Sequence, residues 1–406
     1  MAGSASSWSS PLCESQLRAM PKVELHVHLE GSFTAERIAH LAKQAGLSQS
    51  LGTSYLGGIA PDSQANTHMG ALAGGPPRHI GSRTPQAISS MDLASFLRRL
   101  DQWCALVRTP EQAEEQAYGF ASFLRSEGIV YAEVTVNPVH WAGLTRQVLL
   151  EAVDAGFARA AGEKLTDCKI VVSLGRSQSL EEARALLDEL STCRPARVVG
   201  LGIDGNEEEA PGSSSKLSSI FRSARDIGLG LTAHAGESSG PQGVRDALDL
   251  LGVSRIDHGV RAVEDADLLR RLADESVTLN ICPTSNAVLL YGDIMAHPVA
   301  AIVAARVPVT INTDDPMVFS TTLAHELKIA SALCGWDYQS ILQAQLRAAA
   351  SAFNPSEAHR ILVQSLGPGG STQETAIQPQ GQPDPWGGPP EHSAVTGSAT
   401  SFLKEG

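Results

Sequence analysis

The sequence has few aromatic residues, few cysteines and no long apolar segment. Phe, Trp and Tyr make up only 5% of its 406 residues, so a core must rest on Ala, Leu, Val and Ile. The six cysteines show no CxxC spacing, which argues against a disulfide scaffold and against a cysteine-based zinc site. The chain contains neither an apolar run of about 18 residues nor the apolar core of a signal peptide. These absences predict a cytoplasmic protein without a membrane span.

An excess of basic charge is also missing. Lys and Arg number 31 against 44 Asp and Glu, which gives a net charge of −13 with neutral histidines. Because binding to a phosphate backbone needs clustered positive charge, this balance excludes nucleic acid as a bulk electrostatic partner. It does not exclude a single nucleoside bound in a pocket.

Three segments of biased composition flank or interrupt the rest of the chain. Residues 1–19 are rich in Ser and Ala, residues 48–90 in Gly, Ser and Pro, and residues 367–406 are of low complexity. We expect both ends to be disordered, because such compositions cannot bury a core. A structureless connection as long as 48–90 is unusual, so it is an insertion, which we favour, or a lid. Residues 20–366 then form one domain.

Within this domain, β-branched runs alternate with helical patterns. The runs are 23–30, 130–138, 169–176, 198–205, 229–237, 255–259, 277–285 and 307–314. Intervening segments such as 92–107, 110–127, 180–190, 216–227, 243–251 and 263–274 place apolar residues at i, i+3 and i+4, as helices do. The alternation predicts βαβ units and a parallel sheet. Eight such strands favour an α/β fold, the (β/α)8 TIM barrel, with a long insertion after strand one.

Polar residues cluster at the carboxyl ends of the predicted strands, where barrels of this kind hold their catalytic groups. His26 and His28 alternate on strand one, so both imidazoles project to one face, where they can chelate one metal. Such a pair alone is a weak signal, since most HxH pairs lie on a surface or in a core.

Further groups end strands five, six and eight. These are His234, His258, and the adjacent acids Asp314 and Asp315. Like charges in a partly buried mouth repel each other, and a metal resolves that conflict. Three imidazoles and one carboxylate suit zinc, with an open position for water. A solvated face would explain any one of these residues, but it explains poorly why they all fall at strand ends.

Two acidic features allow more than one interpretation. Glu237 follows His234 by three residues, and it either reaches a substrate held at a metal or begins the next helix, where the dipole favours negative charge. Glu207, Glu208 and Glu209 follow strand four, and we interpret them mainly as a solvated loop.

These motifs together resemble the adenosine deaminase family of the amidohydrolase superfamily. The matching stretches are 21–31, His234-Ala235-Gly236-Glu237, Asp257-His258-Gly259 and Asn312-Thr313-Asp314-Asp315-Pro316. They occur in order, and the resemblance covers residues 20–47 and 90–366. It implies a single Zn²⁺ per chain, and the ligands it implies are His26, His28, His234 and Asp314.

The resemblance also implies roles for the residues around the metal. It implies that Glu237 protonates N1 of a purine, that His258 orients or deprotonates the attacking water, and that Asp315 hydrogen-bonds this water and N7. It further implies substrate contacts, and the residues concerned are His28, Glu30, Gly205 and Asp315. The implied reaction is deamination of adenosine and 2′-deoxyadenosine to inosine and 2′-deoxyinosine with release of ammonia, a step of purine salvage.

Two departures from the family pattern concern the substrate. Adenosine deaminases usually have Asp, which holds the ribose 5′-hydroxyl, where this chain has Glu30. The stretch 204–207 is also two residues shorter than the family's Asp-x-x-Gly-x-Glu arrangement. A Glu is typical of relatives that act on adenine or on 5′-modified nucleosides, whereas the stretch 312–323 resembles the nucleoside branch.

Alternative functions therefore stay open. One is deamination of aminodeoxyfutalosine or another 5′-substituted adenosine, and another is deamination of adenine. A binding module without activity would have lost metal ligands or Glu237, and none is lost. A hydrolase of esters or lactones would keep the ligands but would not need Glu237 and Asp315. The sequence does not predict the oligomeric state.

Overall fold

The computed structural model describes residues 12–47 and 93–367, and their eight strands form one parallel sheet in chain order. The strands are β1 (Lys22–His28), β2 (Ile129–Val136), β3 (Asp167–Gly175), β4 (Val198–Asp204), β5 (Gly230–Ala235), β6 (Arg255–His258), β7 (Thr278–Ile281) and β8 (Val309–Ile311). Every predicted strand and the (β/α)8 barrel are confirmed. The segment 48–90 and the tail after residue 367 lie outside the described residues, so their assignment stays a prediction.

Helices follow the strands and cover the outside of the barrel. They are α1 (Glu14–Ala19), α2 (Ala35–Gln44), α3 (Leu93–Cys104), α4 (Pro110–Ser126), α5 (Arg146–Gly162), α6 (Leu180–Thr192), α7 (Ser213–Asp226), α8 (Pro241–Asp246), α9 (Ala266–Asp274), α10 (Pro283–Asn286), α11 (Val299–Ala304), α12 (Pro316–Phe319), α13 (Leu323–Cys334), α14 (Tyr338–Ser351) and α15 (Pro355–Leu366). Two of them, α8 and α10, continue as π-helical turns, Ala247–Leu251 and Ala287–Tyr291. Short 3₁₀ turns follow β1, β2 and β6, and they are Glu30–Ser32, Pro138–His140 and Val260–Glu264.

Within the described ranges, no single helix is both long and apolar enough to cross a bilayer. One bent pair, Pro283–Tyr291 with Ile294–Ala304, meets that test by length and composition alone.

The barrel closes between β8 and β1 through residues of the predicted site. Asp314 N donates to His26 O at 3.2 Å, and His28 N donates to Asp314 O at 2.9 Å. The side chain of Asn312 continues the seam, since its Oδ1 accepts hydrogen bonds from the amides of Leu25 and His26 at 2.9 and 3.2 Å. Closure of the sheet therefore fixes these two predicted ligand histidines against Asp314.

The predicted disordered N-terminus is wrong for residues 14–19, which form α1. Leu17 is buried, and the Lys22 ammonium donates to the carbonyls of Leu17, Arg18 and Met20 at 2.7 to 2.9 Å. These bonds satisfy carbonyls that the end of a short helix leaves unpaired. The helix was missed because it has one buried apolar side chain and its main partner, Lys22, lies outside it.

The amino-terminal end of the barrel contains a buried ion pair. Arg255, at the start of β6, donates to Glu133 Oε2 at 2.6 Å, and both side chains are at most 2% exposed. The same guanidinium donates to Ser351 O and lies 3.7 Å from the centre of the Phe353 ring. Phe353 N in turn donates to Glu133 Oε1. The pair therefore joins the strands to the turn between α14 and α15.

We predict that Arg255→Met lowers the free energy of unfolding by about 3–5 kcal/mol, because it leaves the Glu133 carboxylate buried without its partner. The matched control is Arg270→Met, which breaks an exposed pair with Asp267 and should cost less than about 1 kcal/mol. Urea unfolding followed by circular dichroism measures both. Equal losses in the two variants would contradict a structural role for the buried pair.

Candidate active site

A cavity opens at the carboxyl ends of the strands. The residues that line it are His28, Glu30, Phe96, Leu97, Leu100, His140, Asp204, Gly205, His234, Glu237, His258, Leu289, Asp314 and Asp315. All the predicted metal-binding, catalytic and substrate-binding residues are among them except His26, whose Nε2 lies 3.2 Å from Asp314 Oδ1. The fold thus brings together groups that are up to 289 residues apart in the chain.

Five potential ligand side chains converge at one end of this cavity. Ligand atoms of His26, His234, His258 and Asp314 all lie within 4.8 Å of one another. His28 joins them, since its Nε2 lies 3.2 Å from His234 Nε2 and 3.4 Å from Asp314 Oδ1. Two imidazole nitrogens this close to each other and to a carboxylate form a donor set that suits a shared divalent cation.

Asp314 is held firmly within this group. Ser285 Oγ donates to its Oδ2 at 2.6 Å, and its Oδ1 lies 3.2 Å from His26 Nε2. Burial would raise the pKa of Asp314, but the contact with His26 and the nearby imidazoles hold it below its usual range. Burial lowers the pKa of His28 to about 4 and that of His234 well below the usual value. Burial would also lower the pKa of His26, but the charges of Asp257 and Asp314 raise it to about 10. His28 and His234 are therefore in the neutral form that binds zinc, whereas His26 would have to lose a proton to do so.

A residue that sequence reasoning missed, Asp257, orients two of these histidines. Its Oδ1 lies 3.1 Å from His26 Nδ1, and its Oδ2 lies 3.6 Å from His234 Nδ1. Asn280 Nδ2 and Thr232 Oγ1 donate to the two oxygens at 2.7 and 2.9 Å. Since a carboxylate at Nδ1 leaves Nε2 free for a metal, Asp257 acts as an orienting group behind the ligands.

The interpretation of Glu207 as part of a solvated loop is wrong. This side chain is 7% exposed, and its carboxylate accepts hydrogen bonds from the amides of Gly236, Glu237 and Ser239 at 3.0 to 3.1 Å. Ser239 Oγ donates to it as well, at 2.6 Å. Glu207 therefore fixes the backbone that positions Glu237, while the two glutamates that follow it are exposed as predicted.

The predicted acid–base residues lie beside the ligand cluster. Glu237 Oε1 is 3.6 Å from His258 Nε2, and burial raises the pKa of Glu237. Burial and the charge of Asp314 raise the pKa of Asp315 well above its usual range. A Cβ atom on Gly31 would lie only 1.9 Å from Asp315 Oδ1, so glycine is required for the close approach of this turn. The site thus contains two carboxyl groups whose pKa values are raised by burial.

Two further acidic side chains, Glu30 and Asp204, line the cavity. Glu30 Oε1 accepts hydrogen bonds from Asn137 N at 2.9 Å and from Trp141 Nε1 at 2.6 Å. Glu30 Oε2 is buried and has no hydrogen-bond partner in the part of the chain that the structure describes. Burial raises the pKa of Glu30 to about 7. Asp204 lies nearby and accepts from Asn137 Nδ2 at 2.6 Å, and Gly205 follows it at a φ of +92°.

Comparison with known proteins agrees with this architecture. The family model described as "Adenosine deaminase" matches residues 77–367. An adenine deaminase of Sinorhizobium medicae is 34% identical over 320 residues, which cover 78% of this chain and 89% of that protein. The chain therefore spans most of the length of this relative.

Two solved structures show the same fold. The adenine deaminase of Arthrobacter aurescens has a TM-score of 0.72 at 24% identity, over 86% of this chain and 98% of that chain. An amidohydrolase of Burkholderia ambifaria with bound zinc has a TM-score of 0.74 at 22% identity, over 92% of this chain and 97% of that chain. Given the family match and the 34% identity to a full-length relative, the chain belongs to the adenosine deaminase family of metal-dependent hydrolytic purine deaminases.

Proposed function

We propose that this chain hydrolyses the 6-amino group of adenine, giving hypoxanthine and ammonia. The sequence favoured adenosine and 2′-deoxyadenosine, and kept adenine as an alternative. The Sinorhizobium medicae and Arthrobacter aurescens proteins are both named adenine deaminases, and this supports the alternative better than the first expectation. The observation on which the proposal rests is the unpartnered oxygen of Glu30 in the cavity.

Glu30 suits a free base better than a nucleoside. Its Oε1 already accepts two hydrogen bonds, whereas Oε2 is a buried acceptor without a donor in the described ranges. Adenine has an N–H on its five-membered ring, and in adenosine the sugar replaces that hydrogen. An unsatisfied buried acceptor costs about 1–3 kcal/mol, which an N–H donor from the substrate would recover.

The cavity is poorly suited to a nucleotide. Among the described residues that line it there is no Lys or Arg, while Glu30 and Asp204 are two of its acidic residues. A 5′-phosphate would meet these carboxyl groups without a cation to pair with, because binding of phosphate relies on Arg, Lys or a helix N-terminus.

We propose His26, His28, His234 and Asp314 as the ligands of one zinc ion. A bound zinc lowers the pKa of water to about 7 and so supplies a hydroxide nucleophile at neutral pH. His258, the fifth group of the cluster, is then left to hydrogen-bond the attacking oxygen, and it lies on the Glu237 side of the site.

The two carboxyl groups with raised pKa values serve the purine ring in this proposal. Glu237 donates a proton to N1 as the nucleophile attacks C6, a role that the rise of its pKa on burial favours. Asp315 holds the proton that it donates to N7 in a hydrogen bond. The C–N bond then breaks as the hydroxyl group added at C6 gives up its proton and becomes the carbonyl, while the amino group takes up that proton and leaves as ammonia.

For the substrate, we predict that kcat/KM for adenine exceeds that for adenosine by at least about 100-fold, since a site built to accept an N–H rejects an analogue that lacks it. Ammonia release from adenine, adenosine, 2′-deoxyadenosine and a 5′-substituted adenosine measures the preference. Glu30→Gln keeps the shape of the side chain but can present a donor in place of the free acceptor. It should therefore lower kcat/KM for adenine more than kcat/KM for adenosine. Preferred turnover of adenosine by the wild type would overturn the choice of substrate.

For proton transfer, we predict that Glu237→Gln lowers kcat by about 10² to 10⁴-fold, because the amide cannot protonate N1. The zinc content should stay that of the wild type, as Glu237 is not a proposed ligand. Glu208→Gln, an exposed change in a neighbouring loop, is the control and should leave kcat unchanged. Full activity of Glu237→Gln would remove Glu237 from the mechanism.

For the metal, we predict that Asp314→Ala loses the zinc that the wild type retains through gel filtration, because it removes one of four protein ligands. Asp257→Asn should bind zinc about 10 to 100-fold more weakly, as expected for loss of an orienting carboxylate. Plasma mass spectrometry and competition with a chelator measure these effects. Full occupancy in Asp314→Ala would contradict the ligand set.

A further inference from the structure

A buried chain of hydrogen bonds leads from His258 away from the cavity to the start of α11. Its intermediate members are Asn286, the last residue of α10, and His297, which precedes Pro298. The exposed fractions of His258, Asn286 and His297 are 1%, 0% and 4%. Water therefore has little access to these side chains and cannot readily replace the hydrogen bonds between them.

The hydrogen bond between Val299 and His297 determines which ring nitrogen of His297 holds the proton. Val299 N donates to His297 Nδ1 at 3.1 Å. This amide belongs to the first turn of α11, where backbone N–H groups have no partner within the helix. A backbone amide can only donate, so Nδ1 is an acceptor, and a neutral imidazole then has its proton on Nε2. Burial lowers the pKa of His297 to about 4, in accord with a neutral ring.

The next two hydrogen bonds, through Asn286, determine which nitrogen of His258 holds the proton. His297 Nε2 lies 3.3 Å from Asn286 Oδ1, so its N–H meets the oxygen of the carboxamide. The carboxamide nitrogen is thereby turned to His258, and Asn286 Nδ2 lies 3.1 Å from His258 Nδ1. Since this nitrogen can only donate, His258 Nδ1 must accept, and the proton of His258 is on Nε2.

We propose that Asn286 and His297 are positioning residues that hold His258 as the neutral tautomer protonated on Nε2. That N–H faces the cavity, on the side where Glu237 Oε1 lies 3.6 Å away. His258 is then a hydrogen-bond donor to the attacking oxygen in the resting enzyme, and not the base that removes its proton. The inference rests on the proposed role of His258 but not on which purine is the substrate.

Any reversed link would place two donors face to face. If Nδ1 of His258 held a proton, Asn286 would have to turn its oxygen toward that ring and its nitrogen toward His297 Nε2. His297 would then have to accept at Nε2 and hold its proton on Nδ1, against the amide of Val299. The backbone of α11 cannot change its role, so it sets the direction of the whole chain.

Nitrogen NMR of the zinc-loaded protein with ¹⁵N-labelled histidines tests the tautomer directly. We expect both His258 and His297 to show an unprotonated Nδ1 and a protonated Nε2 at neutral pH, with resonances assigned from single-histidine variants. A protonated Nδ1 on His258 would overturn the proposal. This experiment needs no substrate, so it is independent of whether adenine is turned over.

Variants test what the chain does for catalysis. Asn286→Asp keeps the shape but presents an acceptor to His258 Nδ1, and we expect kcat to fall about 10 to 100-fold with KM within about 3-fold. His297→Gln keeps an N–H donor for Asn286 and should retain most of kcat, whereas His297→Leu breaks the chain and should not. The control is Tyr291→Phe. The Tyr291 ring packs edge-on against the His297 ring, with 5.7 Å between the ring centres, and the variant keeps this ring contact.

Two outcomes would contradict this role. One is an unchanged kcat in His297→Leu, and the other is an equal loss in the Gln and Leu variants together with equal losses of thermal stability. The second pattern would reduce His297 to a packing residue. If a variant does not fold, the tautomer measured in the wild type still decides the proposal.

Discussion

Burial of ionisable groups at the carboxyl end of the barrel is the constraint on which the rest of the site depends. His26, His258, Asp314 and Asp315 are each at most 5% exposed, and groups of this kind are stable in a protein interior only when they are paired or bind a metal. The structure meets part of this need with hydrogen bonds, such as those from Ser285 to Asp314 and from Asn286 to His258. A divalent cation would meet the remainder.

The same groups close the barrel. The seam between β8 and β1 is made by the backbones of His26, His28 and Asp314, so the strands cannot close without bringing these side chains together. Asp257 and Glu207 support the site from outside the cluster of potential metal ligands. The first orients two ligand rings, and the second holds the backbone of Glu237 through three amides. Catalytic geometry is therefore set largely by rigid strands and the turns that follow them.

The sequence predicted the barrel and the residues at the carboxyl ends of its strands. In a closed parallel barrel these ends lie together whatever the conformation of the loops. It did not predict the roles of Asp257, Glu207 and the pair Asn286 and His297. Their partners lie on other strands, turns and helices, and no local sequence pattern reports which groups the fold brings together. The short helix α1 was missed for a related reason, as its carbonyls are satisfied by Lys22 on the following strand. The proposed choice of substrate, too, rests on a feature that the sequence does not report, since Trp141 donates to one oxygen of Glu30 and the other has no partner among the described residues.

Five groups converge on one point, and we propose that four of them bind the metal while His258 hydrogen-bonds the attacking oxygen. Anomalous diffraction at the zinc absorption edge from crystals of the zinc-loaded protein tests this assignment most directly. We predict a single peak in contact with His26, His28, His234 and Asp314, with His258 Nε2 turned toward the attacking oxygen. A peak bound by His258 in place of His28, or a peak away from this cluster, would contradict it.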